Sequence, residues 1–137
     1  MSLITSLSEL SVLLVEPSQM QAQLVSRMLT RQGVRAVVIV ASGQAALEEI
    51  ARESAERVVI SSLYLPDMAG TDLVLAMRAD PRFECLPFIL ISSETRPQRL
   101  EDVRQSGACS IVTKPCTEQQ LSRALYAAAD YLHSPAD

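Results

Sequence analysis

Glu16, Ser62, Ser92, Ser93 and Lys114 are the side chains with which this chain could do chemistry, because each falls at or just past the end of a short apolar run. Together they supply one carboxylate, one ammonium and several hydroxyls, enough to pair charge or to hydrogen-bond a phosphate. They are poor material for a metal centre. A hard cation wants several oxygen ligands, and a tetrahedral zinc site wants four nitrogen or sulfur donors. The three cysteines, Cys85, Cys109 and Cys116, show no C-x-x-C spacing, and the single histidine, His133, sits near the C-terminus. Ser62 as a nucleophile would need an activating base, and no histidine lies near it in sequence. Lys114 is the only lysine, every other basic side chain being arginine.

Five runs must position these residues: Ser11–Val15, Val34–Val40, Arg57–Ser61, Phe88–Ser92 and Cys109–Thr113. They are rich in β-branched residues and mostly apolar instead of alternating, the pattern of strands covered on both faces. Helical patterns alternate with them. Residues 18–31 place Met20, Leu24, Val25, Met28 and Leu29 on one stripe and stop at Gly33. Ser42 is a cap for a helix whose inner face is Ala46, Leu47, Ile50 and Ala51. Residues 71–79 carry Leu73, Val74 and Met77. Residues 97–106 offer only Leu100 and Val103, so this fourth helix is expected to be the least firmly packed. Residues 117–132 show Leu121, Ala124, Leu125, Ala128 and Leu132 at helical spacing.

Strict alternation predicts an α/β fold: a doubly wound, parallel five-stranded sheet in the flavodoxin-like order 2-1-3-4-5, between two helical layers. In such a sheet the ligand crevice lies beyond the carboxyl ends of the strands, at the switch between strands 1 and 3. The five candidate residues therefore gather in one crevice. Glu16-Pro17-Ser18 contains no glycine, which disfavours a nucleotide-binding loop after strand 1.

At 137 residues the chain has room for one domain, expected over residues 11–133, with 1–10 a leader and 134–137 a tail or the start of a linker. Its 48% apolar and 20% charged residues argue against disorder. A net charge of −4 without a basic run leaves no footprint for nucleic acid. No apolar stretch approaches the roughly 20 residues of a membrane helix, and the N-terminus does not read as a secretory signal. An odd number of unpatterned cysteines fits a reducing compartment, so a cytoplasmic protein is expected.

The segments LLVEPSQM, VVISSLYLPDMAGTDL, ILISSE and IVTKP resemble the response-regulator receiver (CheY-like) family over about residues 11–132. That resemblance implies phosphoryl transfer from a phosphohistidine to an aspartate ending strand 3. It also implies two acidic residues after strand 1 that help hold Mg²⁺, a Ser or Thr after strand 4, and a lysine before a cis proline after strand 5. Carried over position by position, the pattern is damaged. The acceptor position is Ser62, and the acidic pair has become Glu16-Pro17. Ser92 and Lys114 remain, and the switch aromatic of strand 5 is replaced by Ile111. An intact site sets three carboxylates against one lysine, whereas here Glu16 and Lys114 nearly cancel. Weak or absent Mg²⁺ binding and no cofactor are therefore expected.

Plainer roles stand beside these. Lys114 can be a structural partner of Glu16, Ser92 and Ser93 can cap backbone, and Ser62 can fill the old acceptor space. Asp67 reads as a turn residue between Pro66 and Gly70, Tyr64 as a surface ring, and Cys109 and Cys116 as core. The implied function is a non-enzymatic two-component signalling module, a pseudo-receiver that binds a protein partner or itself through the fourth helix, fifth strand and fifth helix. An output domain beyond the tail would complete it. The alternative is an active phosphoacceptor using an unconventional residue. A flavodoxin-like small-molecule binder is disfavoured by the missing glycine-rich loop and scarce aromatics.

Overall fold

A computed structural model describes residues 7–52, 57–93, 96, 101, 105 and 110–133, with backbone alone at 131–133. A 3-10 turn, Leu7–Glu9, leads into β1 (Ser11–Val15), α1 (Gln19–Arg31), β2 (Ala36–Val40), α2 (Gly43–Arg52), β3 (Arg57–Ser62) and α3 (Gly70–Arg78). Then follow β4 (Phe88–Ser92), β5 (Ser110–Thr113) and a C-terminal helix, α4 (Glu118–His133). The strands form one parallel sheet in the order β2-β1-β3-β4-β5, as expected. The predicted helix at 97–106, with Leu100 and Val103, lies outside the described residues but for Glu101 and Gln105, which are helical. Cys109 lies outside them too.

Successive side chains of a strand point to opposite faces, and this sheet sorts them into two cores. Val12, Leu14, Ile60, Ile89 and Ile91 pack with α1 and α4. Leu13, Val15, Val59, Phe88 and Leu90 pack with α2 and α3. A strand covered on both sides needs apolar residues at every position, which is why β1, β3 and β4 lack alternation.

Three readings of the elements are corrected. β2 is an edge strand, with Val38 and Ile39 39% and 41% exposed, so it is not covered on both faces. It also begins at Ala36, two residues past the predicted Val34. On α1 the inner face is Ala22, Val25 and Leu29, while Met20 and Leu24 are exposed. A small residue at 22 holds the buried position, and the larger side chains turn outward. On α2, Ala46 and Ile50 are buried and Leu47 is half-buried, but Ala51 is exposed. Leu7 and Leu10, within the segment read as a leader, are buried in the core beside α4.

Candidate functional site

Parallel register brings the candidate residues together. Val15 pairs with Ser61, which sets Glu16 beside Ser62 at the ends of β1 and β3. Ser92 pairs with Thr113, which sets Lys114 just past β5. Backbone bonds continue the ladder beyond the strands, from Glu16 N–H to the Val40 carbonyl (2.9 Å) and from Lys114 N–H to the Ser92 carbonyl (2.9 Å). The Lys114-Pro115 peptide is cis, as the resemblance implied. Gly70 makes the start of α3 possible at this rim. A Cβ there would stand 2.5 Å from the Ser62 carbonyl oxygen and 2.7 Å from Leu90 Cδ2.

The side chains close on one another. Ser62 donates its hydroxyl proton to Glu16 Oε1 in a short hydrogen bond. Lys114 Nζ donates to Ser62 Oγ at 3.1 Å and pairs with Glu16 Oε1 at 3.3 Å. Glu16 Oε2 accepts from the Ser18 N–H at 3.0 Å, at the entry of α1. Glu16 and Ser62 are 7% and 5% exposed, and the Lys114 side chain is 28% exposed, so the group opens to solvent at the lysine. A buried carboxylate needs such compensation, since an unpaired one carries a large desolvation cost.

Both Glu16 oxygens are thus engaged, and Pro17 has no side-chain oxygen to offer a cation. The carboxylate that would face a Mg²⁺ faces an ammonium instead. This donor set does not fit a hard divalent cation, which takes several oxygen ligands. Among the described residues, no cluster of His, Cys, Asp and Glu is arranged to hold a metal. Ser92 is buried at the end of β4. Ile111 is half-buried on β5, level with Leu90. Cys116 is half-buried, and its thiol is pushed up by desolvation and drawn back in part by the Lys114 charge.

One residue passed over as a turn has a longer reach. Asp67 accepts from the N–H groups of Gly43 and Gln44, each at 2.9 Å, and so ties the β3–α3 loop to the first turn of α2. These bonds, Gln44 first, hold its carboxyl below the usual aspartate range. Tyr64, in the same loop, is 54% exposed.

The response regulator receiver domain model matches residues 12–126. The chain belongs to the response regulator receiver family. Its relatives include the chemotaxis protein CheY1 of Helicobacter pylori strain J99, 29% identical over 116 residues, or 85% of this chain and 94% of that protein. The two-component response regulator ORR12 of Oryza sativa subsp. japonica is 32% identical over 114 residues, 83% of this chain and 93% of the relative. Among solved structures, the chemotaxis response regulator CheY4 of Vibrio cholerae matches with a TM-score of 0.77 and 28% identity, covering 85% of this chain and 95% of that one. This receiver domain therefore has the fold that strict alternation predicted and the two-component signalling class that the resemblance implied. No helix among its described residues is long and apolar enough to cross a membrane.

Proposed function

We propose that this receiver domain accepts no phosphoryl group and signals in the cytoplasm by binding another protein or a second copy of itself. The observation that carries the reading is Ser62 at the end of β3, its hydroxyl committed to Glu16 and contacted by Lys114. An acyl phosphate needs a carboxylate at the attacked position, and Ser62 has none. A phosphorylated Ser62 would set about −1.5 to −2 charges beside buried Glu16 with one lysine to balance them. Nor does the site invite Mg²⁺ to neutralise that charge, because Glu16 is its only carboxylate and is already paired.

Asp67 supports no rival acceptor, since both its oxygens hold α2. In the unconventional-acceptor alternative, Ser62 is the hydroxyl at the family's acceptor position. The surface expected for a partner is the face of β5, α4 and the predicted helix 97–106, where Gln120 and Arg123 of α4 stand beside Ser110–Thr113 in an open groove. An output domain joined beyond residue 133 would read the same face.

Incubation with acetyl phosphate and Mg²⁺ followed by intact mass measurement tests the proposal. The mass is expected to stay unchanged. An adduct lost on hydroxylamine treatment would mark an acyl phosphate and overturn it, and a hydroxylamine-stable adduct on Ser62 would establish the alternative.

A further inference from the structure

Beside the charged group lies a cavity of about 110 Å³. Leu24, Val25 and Met28 line it from α1, Cys116 from the opposite side, and Leu14 and Ile91 from the sheet. Glu16, Ser62 and Lys114 close its polar end, with Gln21 at the rim. Leu24 belongs to the wall and is also 45% exposed, so the cavity meets solvent at this side chain.

We propose that this cavity binds a small neutral aliphatic compound carrying a carbonyl group, of the kind represented by short branched amides. Size sets the first limit. An apolar cavity of about 150 Å³ holds benzene, with its six non-hydrogen atoms, so this one encloses roughly four, and a compound of about six reaches out through the mouth at Leu24. A nucleotide or flavin is far too large. The walls set the body of the ligand as aliphatic and compact. The polar end sets its head. Glu16 has both oxygens engaged, and Lys114 spends two of its three N–H donors on Glu16 and Ser62. The third N–H, on a side chain 28% exposed to solvent, can exchange water for an acceptor presented from the cavity. Because the Glu16 and Lys114 charges cancel, that acceptor is a neutral carbonyl, and a carboxylate would lose hydration for no net counter-charge. This ligand is unlike a phosphoryl group or a metal ion, and its binding stands apart from the phosphoryl-transfer reading.

Methyl-resolved NMR of the whole chain, titrated with isobutyramide, tests the site. Saturable millimolar shifts are expected at Leu14, Leu24, Val25, Met28 and Ile91, with a rise in melting temperature. Isobutyrate is expected to bind at least about tenfold more weakly. Leu24→Trp fills the mouth and is expected to abolish the shifts, and if that variant unfolds, Cys116→Leu fills the cavity from the other wall. Shifts that are absent, scattered over the surface, unchanged in a folded filled variant, or equal for isobutyrate would overturn the proposal. The titration contains no phosphoryl donor, so its failure leaves the acetyl-phosphate result untouched, and the reverse holds.

Discussion

The hydroxyl of Ser62 lies between a carboxylate that takes its proton and an ammonium that meets its oxygen. Charge is balanced within three side chains, and each change to them has a stated consequence. Ser62→Asp supplies a nucleophile but leaves only two carboxylates for a cation, so it is expected to bind Mg²⁺ weakly and to label slowly with acetyl phosphate. Pro17→Asp alone adds a ligand with no acceptor. The double variant brings three carboxylates onto one ion, and its Mg²⁺ affinity is expected to exceed the product of the single gains by about tenfold, or ~1.4 kcal/mol of coupling. Calorimetric Mg²⁺ titration and intact mass check this. A folded double variant that neither binds Mg²⁺ nor labels would remove Glu16, Pro17 and Ser62 from the old phosphoryl site. The convergence of these residues was legible in the sequence because each follows directly on a strand end, where fold class alone fixes its neighbours. Asp67 was not, since its partners lie on α2 and no local pattern links Pro66-Asp67 to Gly43-Gln44.

At the scale of elements, α2 shows how a helix start is completed from elsewhere in the chain. The first N–H groups of a helix have no partner within it. Ser42 Oγ takes that of Ala45 at 3.1 Å, and Asp67 takes those of Gly43 and Gln44. Asp67→Asn is therefore expected to lower stability at neutral pH, since an amide offers one acceptor where the carboxylate offers two. The pH dependence has a definite sign. The carboxyl is lowered in the folded state, so its contribution is complete above the unfolded aspartate value and disappears as pH falls through the folded one. Urea unfolding of both forms from neutral to acid pH should show the gap close in that window, and a gap constant with pH would refute the assignment. Packing decides what helical spacing leaves open. The stripe on α1 was wide enough to admit Met20 and Leu24, but the buried line runs through Ala22. Composition also made β2 look like its neighbours, although the expected strand order already put it at the edge of the sheet.

The molecule as a whole is a sheet with a separate core on each face, and the sequence conveyed this through strands apolar at every position. It conveyed less about where the fold begins. Leu10 is 1% exposed and Leu7 5% exposed, both in the core shared with α1 and α4. Leu10→Ala is expected to cost about 2–5 kcal/mol, the usual range for a buried leucine, read as a lower urea midpoint at unchanged slope. A loss under about 0.5 kcal/mol, the range of surface substitutions, would show that this segment only rests on the domain. A further consequence follows from the direction of the chain. β1 starts at the end of the sheet opposite Glu16, and α4, returning after β5, packs beside the turn Leu7–Glu9 that precedes β1. A protein attached at the described ends, Leu7 or His133, would start from the side of the domain away from the crevice. The distance from such an attachment to the crevice is at least the length of a strand, ~17 Å for the five residues of β1 at about 3.3 Å each. The described ends of the chain thus leave the crevice unobstructed, and a change at the crevice reaches them along the sheet and the helices packed on it.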